Sequence, residues 1–244
     1  MIVDVHNHVG RDEDGVSLTP EELISIMDAS GIRAAVIFPF NDPDAGPTFQ
    51  LANNRIKAAE DRYPDRLIGF FRLDPYYGRE ALEELERCVQ LGLHGLKLHP
   101  RSQRFSPEHP FISKILEALQ ESGLPLIIHT ERCNFIARPE QLATLADRFP
   151  DLKIISAHLG YAGSKIIPLA KDRENLYLDL SLSPLFLLQD VISEVGAEKL
   201  LFASDTPYSH PKIELTKLEL LDCSKRDLEK IKGENARKLL NLKK

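Results

Sequence analysis

Residues 2–10 read IVDVHNHVG. A β-branched run that ends in His-x-His predicts a strand whose two imidazoles share one side. Successive strand side chains alternate, so His6 and His8 stand about 6.6 Å apart along the chain. Rings at that spacing can converge on one ion, or they can simply end a strand in polar groups. The same alternation puts Asp4 on their side, one layer deeper, either to orient a ligand or to neutralise a buried cation such as Lys97. The rest of the chain decides between these readings.

Seven more short apolar runs follow that first strand (2–6), at 34–38, 67–71, 95–98, 126–129, 153–157, 176–180 and 200–204. Most are nearly continuously apolar, as strands covered on both faces are. Amphipathic stretches alternate with them at 20–29, 49–63, 79–91, 111–122, 139–149, 164–171 and 187–195, and residues 213–240 read as two or three further helices. Thr19-Pro20-Glu21-Glu22 is a capped helix start, and Gly31, Gly92, Gly123 and Gly196 fall just past helix ends. Strand and helix alternating eight times predicts a closed (β/α)8 barrel, an α/β TIM barrel with extra C-terminal helices. Neither GxGxxG nor a Walker A pattern supports an open doubly wound sheet. No linker or repeat divides the chain, so residues 1–244 read as one domain.

Composition narrows the function. Hydrophobic residues make up 43% and charged ones 28% of the chain, which suits a packed core rather than disorder. With a net charge of −6 and no long basic run, capture of nucleic acid is not expected. Cys88, Cys133 and Cys223 lie far apart without a CxxC, which argues against a disulfide framework. No secretory leader or membrane-length apolar run is evident. The expectation is a cytoplasmic protein with a small-molecule substrate, no nucleic-acid or membrane partner, and homo-oligomerisation left open.

The polar residues gather at strand ends: His6 and His8 on the first, Arg72 and Asp74 after the third, Lys97 and His99 on the fourth, His129 on the fifth, His158 on the sixth, Asp179 and Ser181 on the seventh, Asp205 on the eighth. In a barrel these ends form one rim, where barrel active sites sit. Unpaired imidazoles and a carboxylate buried together would cost several kcal/mol without a compensating charge. A divalent cation compensates; zinc suits imidazole and carboxylate first, with manganese, iron or nickel as alternatives.

The segments VDVHNHVG, GLHGLKLHP, GLPLIIHT, LADRFPDLKIISAHLG and LLFASDTP resemble successive signatures of the amidohydrolase superfamily. The resemblance is closest to its amidohydrolase-related branch, which includes carboxymuconate-semialdehyde decarboxylase-type enzymes and small lactonases. It runs from the first strand to the ENARKLLNL tail. It implies that His6, His8, His129 and Asp205 bind one metal ion. His158 is then an acid/base or polarising group, or a second ligand where two ions bind. Lys97 would bridge two ions if carboxylated, and otherwise stays a cation at the rim.

Such a site implies a metal-dependent hydrolase acting on a small, anionic amide, lactone or ester through a metal-activated water. Asp205 would carry the proton and His158 would hold the developing oxyanion. Decarboxylation or carbon–carbon cleavage of a small unsaturated acid is the alternative, because fold does not fix the reaction. Arg72, Lys97 and His99 are the candidate substrate-binding residues. Arg101, Arg104 and His210 could add to an anion site, and HLGYAGS (158–164) could present backbone amides. A TatD-like nuclease would carry a strand-four glutamate in a GEIGLDY-like stretch, where this chain has Lys97. A histidinol-phosphatase-type phosphoesterase would need further histidines and carboxylates, and a non-catalytic metal-binding barrel would not need His158 together with Asp205.

Overall fold

The computed structural model describes residues 1–42, 44–46, 48–130, 137–159 and 165–242; Cys133 and most of the HLGYAGS stretch lie outside them. The strands are β1 (Ile2–Arg11), β2 (Ser17–Leu18), β3 (Ile32–Pro39), β4 (Leu67–Gly69), β5 (Phe71–Arg72), β6 (Leu96–Leu98), β7 (Leu126–His129), β8 (Ile154–Ala157), β9 (Leu176–Asp179) and β10 (Leu200–Leu201). They form two hydrogen-bonded runs, β2-β1-β3-β4 and β10-β9-β8-β7-β6-β5. Both seams between the runs are stitched. Phe70, between β4 and β5, donates to the Ile37 carbonyl, and Phe71 donates to that of Gly95. At the other seam Val5 donates to Phe202, Asp205 to His6, and His8 to Thr206. The result is the closed (β/α)8 barrel that the alternation predicts.

Each stave sorts its side chains between two layers. Leu126, Ile128 and Ile154 face the helices with Leu23, Ile56 and Ile115. Val3, Val36, Phe38, Phe70, Ile127, Ile155 and Leu201 fill the interior, and Ala236 and Leu239 close its base. The helices begin and end as the sequence indicates. At Pro20–Ser30, Thr19 and Glu22 bond each other's backbone N–H at 3.2 and 2.8 Å, and Gly31 leaves the helix at φ 71°, where a side chain would be strained. None of the described helices is long and apolar enough to cross a membrane.

Three details depart from the sequence reading. The first stave runs on to Arg11 and folds back through β2 as a short antiparallel hairpin. The stave at 67–71 is split at Phe70. Most important, β1 is bulged: Asp4 stands opposite Ala35 but Asn7 opposite Ile37, so three steps on β1 span two on β3. A bulge breaks the two-residue alternation. Asp4 therefore does not share the side of His8, which stands opposite the interior residue Phe38. Asp4 pairs with neither Lys97 nor a ligand ring. It accepts from Ser204 Oγ (2.5 Å), Ser204 N (3.0 Å) and His6 N (3.2 Å), locking the first stave to the last.

The split stave rests on a glycine. A Cβ at Gly95 would come within 2.3 Å of the ring of Phe70, which is fully buried and has nowhere to retreat. Gly95→Ala should lower the free energy of unfolding by about 1–3 kcal/mol, the usual scale of core overpacking; urea unfolding followed by circular dichroism measures it.

Candidate metal centre

The barrel mouth opens into a cavity of about 730 Å³ whose wall includes His8, Arg72, Lys97, His99, His129, His158, Asp205 and Tyr208. Six of these come from six different staves. At its floor the Nε2 atoms of His6 and His8 each lie 3.2 Å from Asp205 Oδ1. Ligand atoms of His6, His8 and Asp205 all fall within 4.8 Å of one another, as do those of His6, His158 and Asp179. Asp205 Oδ1 is buried without a hydrogen-bond donor. A buried carboxylate oxygen left without a donor between two imidazole nitrogens calls for an electrophilic partner, and a divalent cation fits that need.

Asp179 prepares the imidazoles for this. Its Oδ2 lies 2.5 Å from His6 Nδ1, so His6 carries its proton on Nδ1 and turns the Nε2 lone pair inward. Its Oδ1 accepts from the Ser181 hydroxyl (2.6 Å) and the Ser181 N–H (2.8 Å). With that hydroxyl proton committed, Ser181 Oγ accepts from His158 Nδ1 at 2.9 Å. His158 likewise keeps a lone pair on Nε2, which faces Asp205 Oδ2 at 4.0 Å. Burial holds His6, His8 and His158 well below the usual imidazole pKa, and the charge of Lys97 adds to the effect. Neutral rings with inward lone pairs are ligands and proton acceptors. The oxyanion role expected of His158 needs a donor on Nε2, which this tautomer lacks.

His8 is held by rings rather than hydrogen bonds. It stacks on Phe40 (4.9 Å, 23°) and meets Phe38 and Tyr208 edge-on. His129 stacks on His99 at 3.8 Å and stands against His158 at 4.9 Å; its nitrogens join neither three-residue group of clustered ligand atoms. Lys97 is buried, with Nζ 3.1 Å from His6 Nε2 and 4.6 Å above the ring of Phe38. Burial pulls its pKa down to about 7, against the opposing pull of Asp205 and Asp179. Burial pushes that of Asp205 up to about 8, against the pull of Lys97. His158 and Asp205 both sit in the left-handed backbone region, at φ 58°. For side chains other than glycine that conformation is strained, and such strain gathers at functional sites.

Arg72 is the second feature of the wall. It is 1% exposed and has no carboxylate partner among the described residues. Its guanidinium donates to Ser102 Oγ (2.8 Å), lies over the ring of Phe49, and leaves Nε unbonded. His99 accepts the Ser102 N–H on Nδ1 at 3.3 Å, which leaves a proton on Nε2. Arg101 and Arg104 line the cavity from its exposed edge. His210 does not join them: its Nδ1 accepts from Lys212 N and caps the helix Pro211–Glu219. Asp74 instead caps the short turn Pro75–Tyr77. The sequence reading assigned no role to Asp179, Ser181, or Tyr208, whose hydroxyl donates to Asp12. A signal for Asp179 was present, since Leu176 and Leu178 face the helices and so turn a carboxylate inward.

A model of the amidohydrolase family matches residues 3–242. A dihydroorotase of Helicobacter acinonychis (strain Sheeba) is 29% identical over 203 residues, which cover 77% of this chain and 56% of its own length. The chain thus spans about half the length of that curated relative. Among solved structures, a 5-carboxyvanillate decarboxylase of Novosphingobium aromaticivorans DSM 12444 with bound manganese superposes with a TM-score of 0.80 at 18% identity, over 99% of this chain and 97% of that one. A protein described as a probable 2-pyrone-4,6-dicarboxylic acid hydrolase of Acinetobacter baumannii superposes at 0.75 and 17% identity, over 99% of both chains.

The bonding around Asp179 makes a prediction independent of any substrate. Asp179→Asn replaces one acceptor by a donor and so frees the tautomer of His6 or, through Ser181, that of His158. Affinity for a divalent ion should fall by about 10–100-fold, the usual scale for losing such a partner. Competition with a chromogenic chelator gives the constants; equal affinities would refute the role.

Proposed function

The chain belongs to the amidohydrolase family, and from that premise we propose that it is a metal-dependent hydrolase of a small amide, lactone or ester that carries a carboxylate. The observation behind this reading is one cavity holding two complementary features. On its floor a bare Asp205 oxygen stands between His6 and His8. On its wall is a buried arginine without a carboxylate partner among the described residues. His6, His8 and Asp205, with His129 beside them, would hold one divalent ion. Zinc comes first by ligand type, with manganese next, as in the decarboxylase relative.

Bound there, the ion supplies Lewis acidity for a carbonyl oxygen. Asp205 divides the remaining work between its oxygens. Oδ1 is committed to the side of His6 and His8, and Oδ2, facing His158, takes a proton from water and returns it to the leaving group. His158 Nε2 accepts a hydrogen bond and so orients that water or a substrate hydroxyl. Arg72 pairs with the substrate carboxylate, while the protonated Nε2 of His99 adds a donor and the Lys97 amine stands at the floor beside His6. This arrangement sets the reacting carbonyl on the floor and the anionic end against the wall.

Decarboxylation of a small unsaturated acid is the second reading. It is favoured by the full-length likeness to a carboxyvanillate decarboxylase, and it uses the same parts, with Asp205 delivering its proton to carbon. Metal-loaded protein incubated with dihydroorotate and 2-pyrone-4,6-dicarboxylate, and separately with 5-carboxyvanillate, separates the two. Ring-opened acids indicate hydrolysis, and released carbon dioxide indicates decarboxylation.

Elemental analysis should find one divalent ion per folded chain. A second ion would bring His158 and a carboxylated Lys97 into the ligand set. On the substrate so identified, Asp205→Asn with its metal retained should reduce kcat by at least ~100-fold, the scale of a lost acid/base group. Arg72→Met should raise KM for anionic substrates while leaving neutral analogues unchanged, as loss of binding rather than of chemistry does.

A further inference from the structure

The guanidinium of Arg72 depends on a break in the barrel wall. Between β3 and β4 the parallel register pairs Val36 with Ile68 and Ile37 with Gly69, and Phe70 N donates to the Ile37 carbonyl. Continued by two residues, the ladder would bring Arg72 N to the Pro39 carbonyl. It does not continue. Pro39 has no N–H to offer the carbonyl of Phe70, so a rung is missing at that point. The Pro39 carbonyl faces the Arg72 side chain instead, with Nη1 at 3.4 Å.

Asn53 takes the place of the missing strand neighbour. It lies within the helix Gln50–Arg62 and is fully buried. Its Oδ1 accepts from Arg72 N at 2.8 Å, and its Nδ2 donates to the Arg72 carbonyl at 2.8 Å. One amide thus pairs both backbone groups of residue 72, as a strand edge would. Its Nδ2 also donates to Glu84 Oε1 at 2.8 Å. Glu84 is buried on the helix Arg79–Gln90 and is gripped by Arg87 through Nε and Nη2, both at 2.7 Å. This chain of bonds leaves Asn53 only one orientation, because the oxygen cannot face the carboxylate. It anchors the backbone from which the guanidinium reaches the cavity.

We infer that Asn53 is the positioning residue of the anion site. Through its paired bonds to the Arg72 backbone it sets where the guanidinium stands, and so governs recognition of the substrate carboxylate without touching the substrate. This rests on the reading of Arg72 as the group that binds that carboxylate.

The test is a double-mutant cycle on manganese-loaded full-length protein, read by calorimetric titration. The anionic probes are 2,6-dihydroxybenzoate and 2-pyrone-4,6-dicarboxylate, and their uncharged counterparts are resorcinol and 2-pyrone. Asn53→Ala should weaken the anions about tenfold while leaving the uncharged probes and the manganese content unchanged, since misplacing a binding group costs on that scale. In an Arg72→Met background the same substitution should add less than about twofold, because coupled residues are not additive. If Asn53→Ala does not fold, Asn53→Asp carries the test. It keeps the acceptor for Arg72 N, loses the donor to the carbonyl, and sets a like charge against Glu84.

If Arg72→Met weakens the anions and the Asn53 variants do not, the positioning role is overturned and the anion site stands. Equal weakening of charged and uncharged probes by the Asn53 variants, or full additivity with Arg72→Met, makes Asn53 merely structural. Anions that fail to bind the unmodified protein, or bind Arg72→Met as well, overturn the reading of Arg72 and the inference with it.

Discussion

Asp179 can accept hydrogen bonds and, when ionised, cannot give them. The rim is organised by that one restriction. Its two oxygens draw protons from His6 and Ser181, and the commitment of the Ser181 proton passes the restriction on to His158. Two imidazoles on different staves are thereby set with lone pairs facing the same few ångströms of space. Were the carboxylate absent, each ring could choose its tautomer and flip, and the floor of the cavity would have no fixed polarity. The seam between first and last staves supports the arrangement from behind, since Asp4 ties Ser204 to the backbone of His6.

Charge balance follows from the same packing. Lys97 and Asp205 are buried side by side near the floor, and each is pushed towards its neutral form by loss of water while the other resists that shift. Lys97 Nζ and a bound cation would draw on the same His6 lone pair. The lysine therefore occupies that lone pair, and an arriving ion competes with it. Arg72 is different. Its pKa falls only to about 10 on burial, so it stays a cation at neutral pH, with an aromatic face and a hydroxyl as its neighbours. A fixed cation without a counter-ion among the described residues favours an anionic guest.

Much of this was legible before any coordinates. The stave 126–129 falls where its apolar run places it, and the strand-end polar residues meet at one mouth because a barrel leaves them nowhere else. What escaped was whatever depended on a single inserted or missing rung. Strict alternation assigned Asp4 to the cavity, and a bulge between Asp4 and Asn7 overrules it. Asn53 stands in an amphipathic helix among ordinary polar residues. Nothing local distinguishes it, because its partner lies nineteen residues away and exists only where Pro39 breaks the ladder. His210 read as a basic rim residue but spends its ring on a helix start. A polar side chain's partner is a property of the fold, and residue type alone does not reveal it.

The positive φ shared by His158 and Asp205 bears on how this barrel could diverge. A left-handed backbone disfavours β-branched side chains and is entered most readily by glycine, asparagine, aspartate and, less often, histidine. The backbone thus sets an alphabet at both positions before any selection for chemistry begins. Three of its four letters carry a polar side chain, and two of them can move a proton. Drift at these positions would therefore tend either to keep proton-handling groups or to fall silent as glycine or asparagine. New reactions on this scaffold would arise mainly from the surrounding loops, where the backbone imposes no such vocabulary.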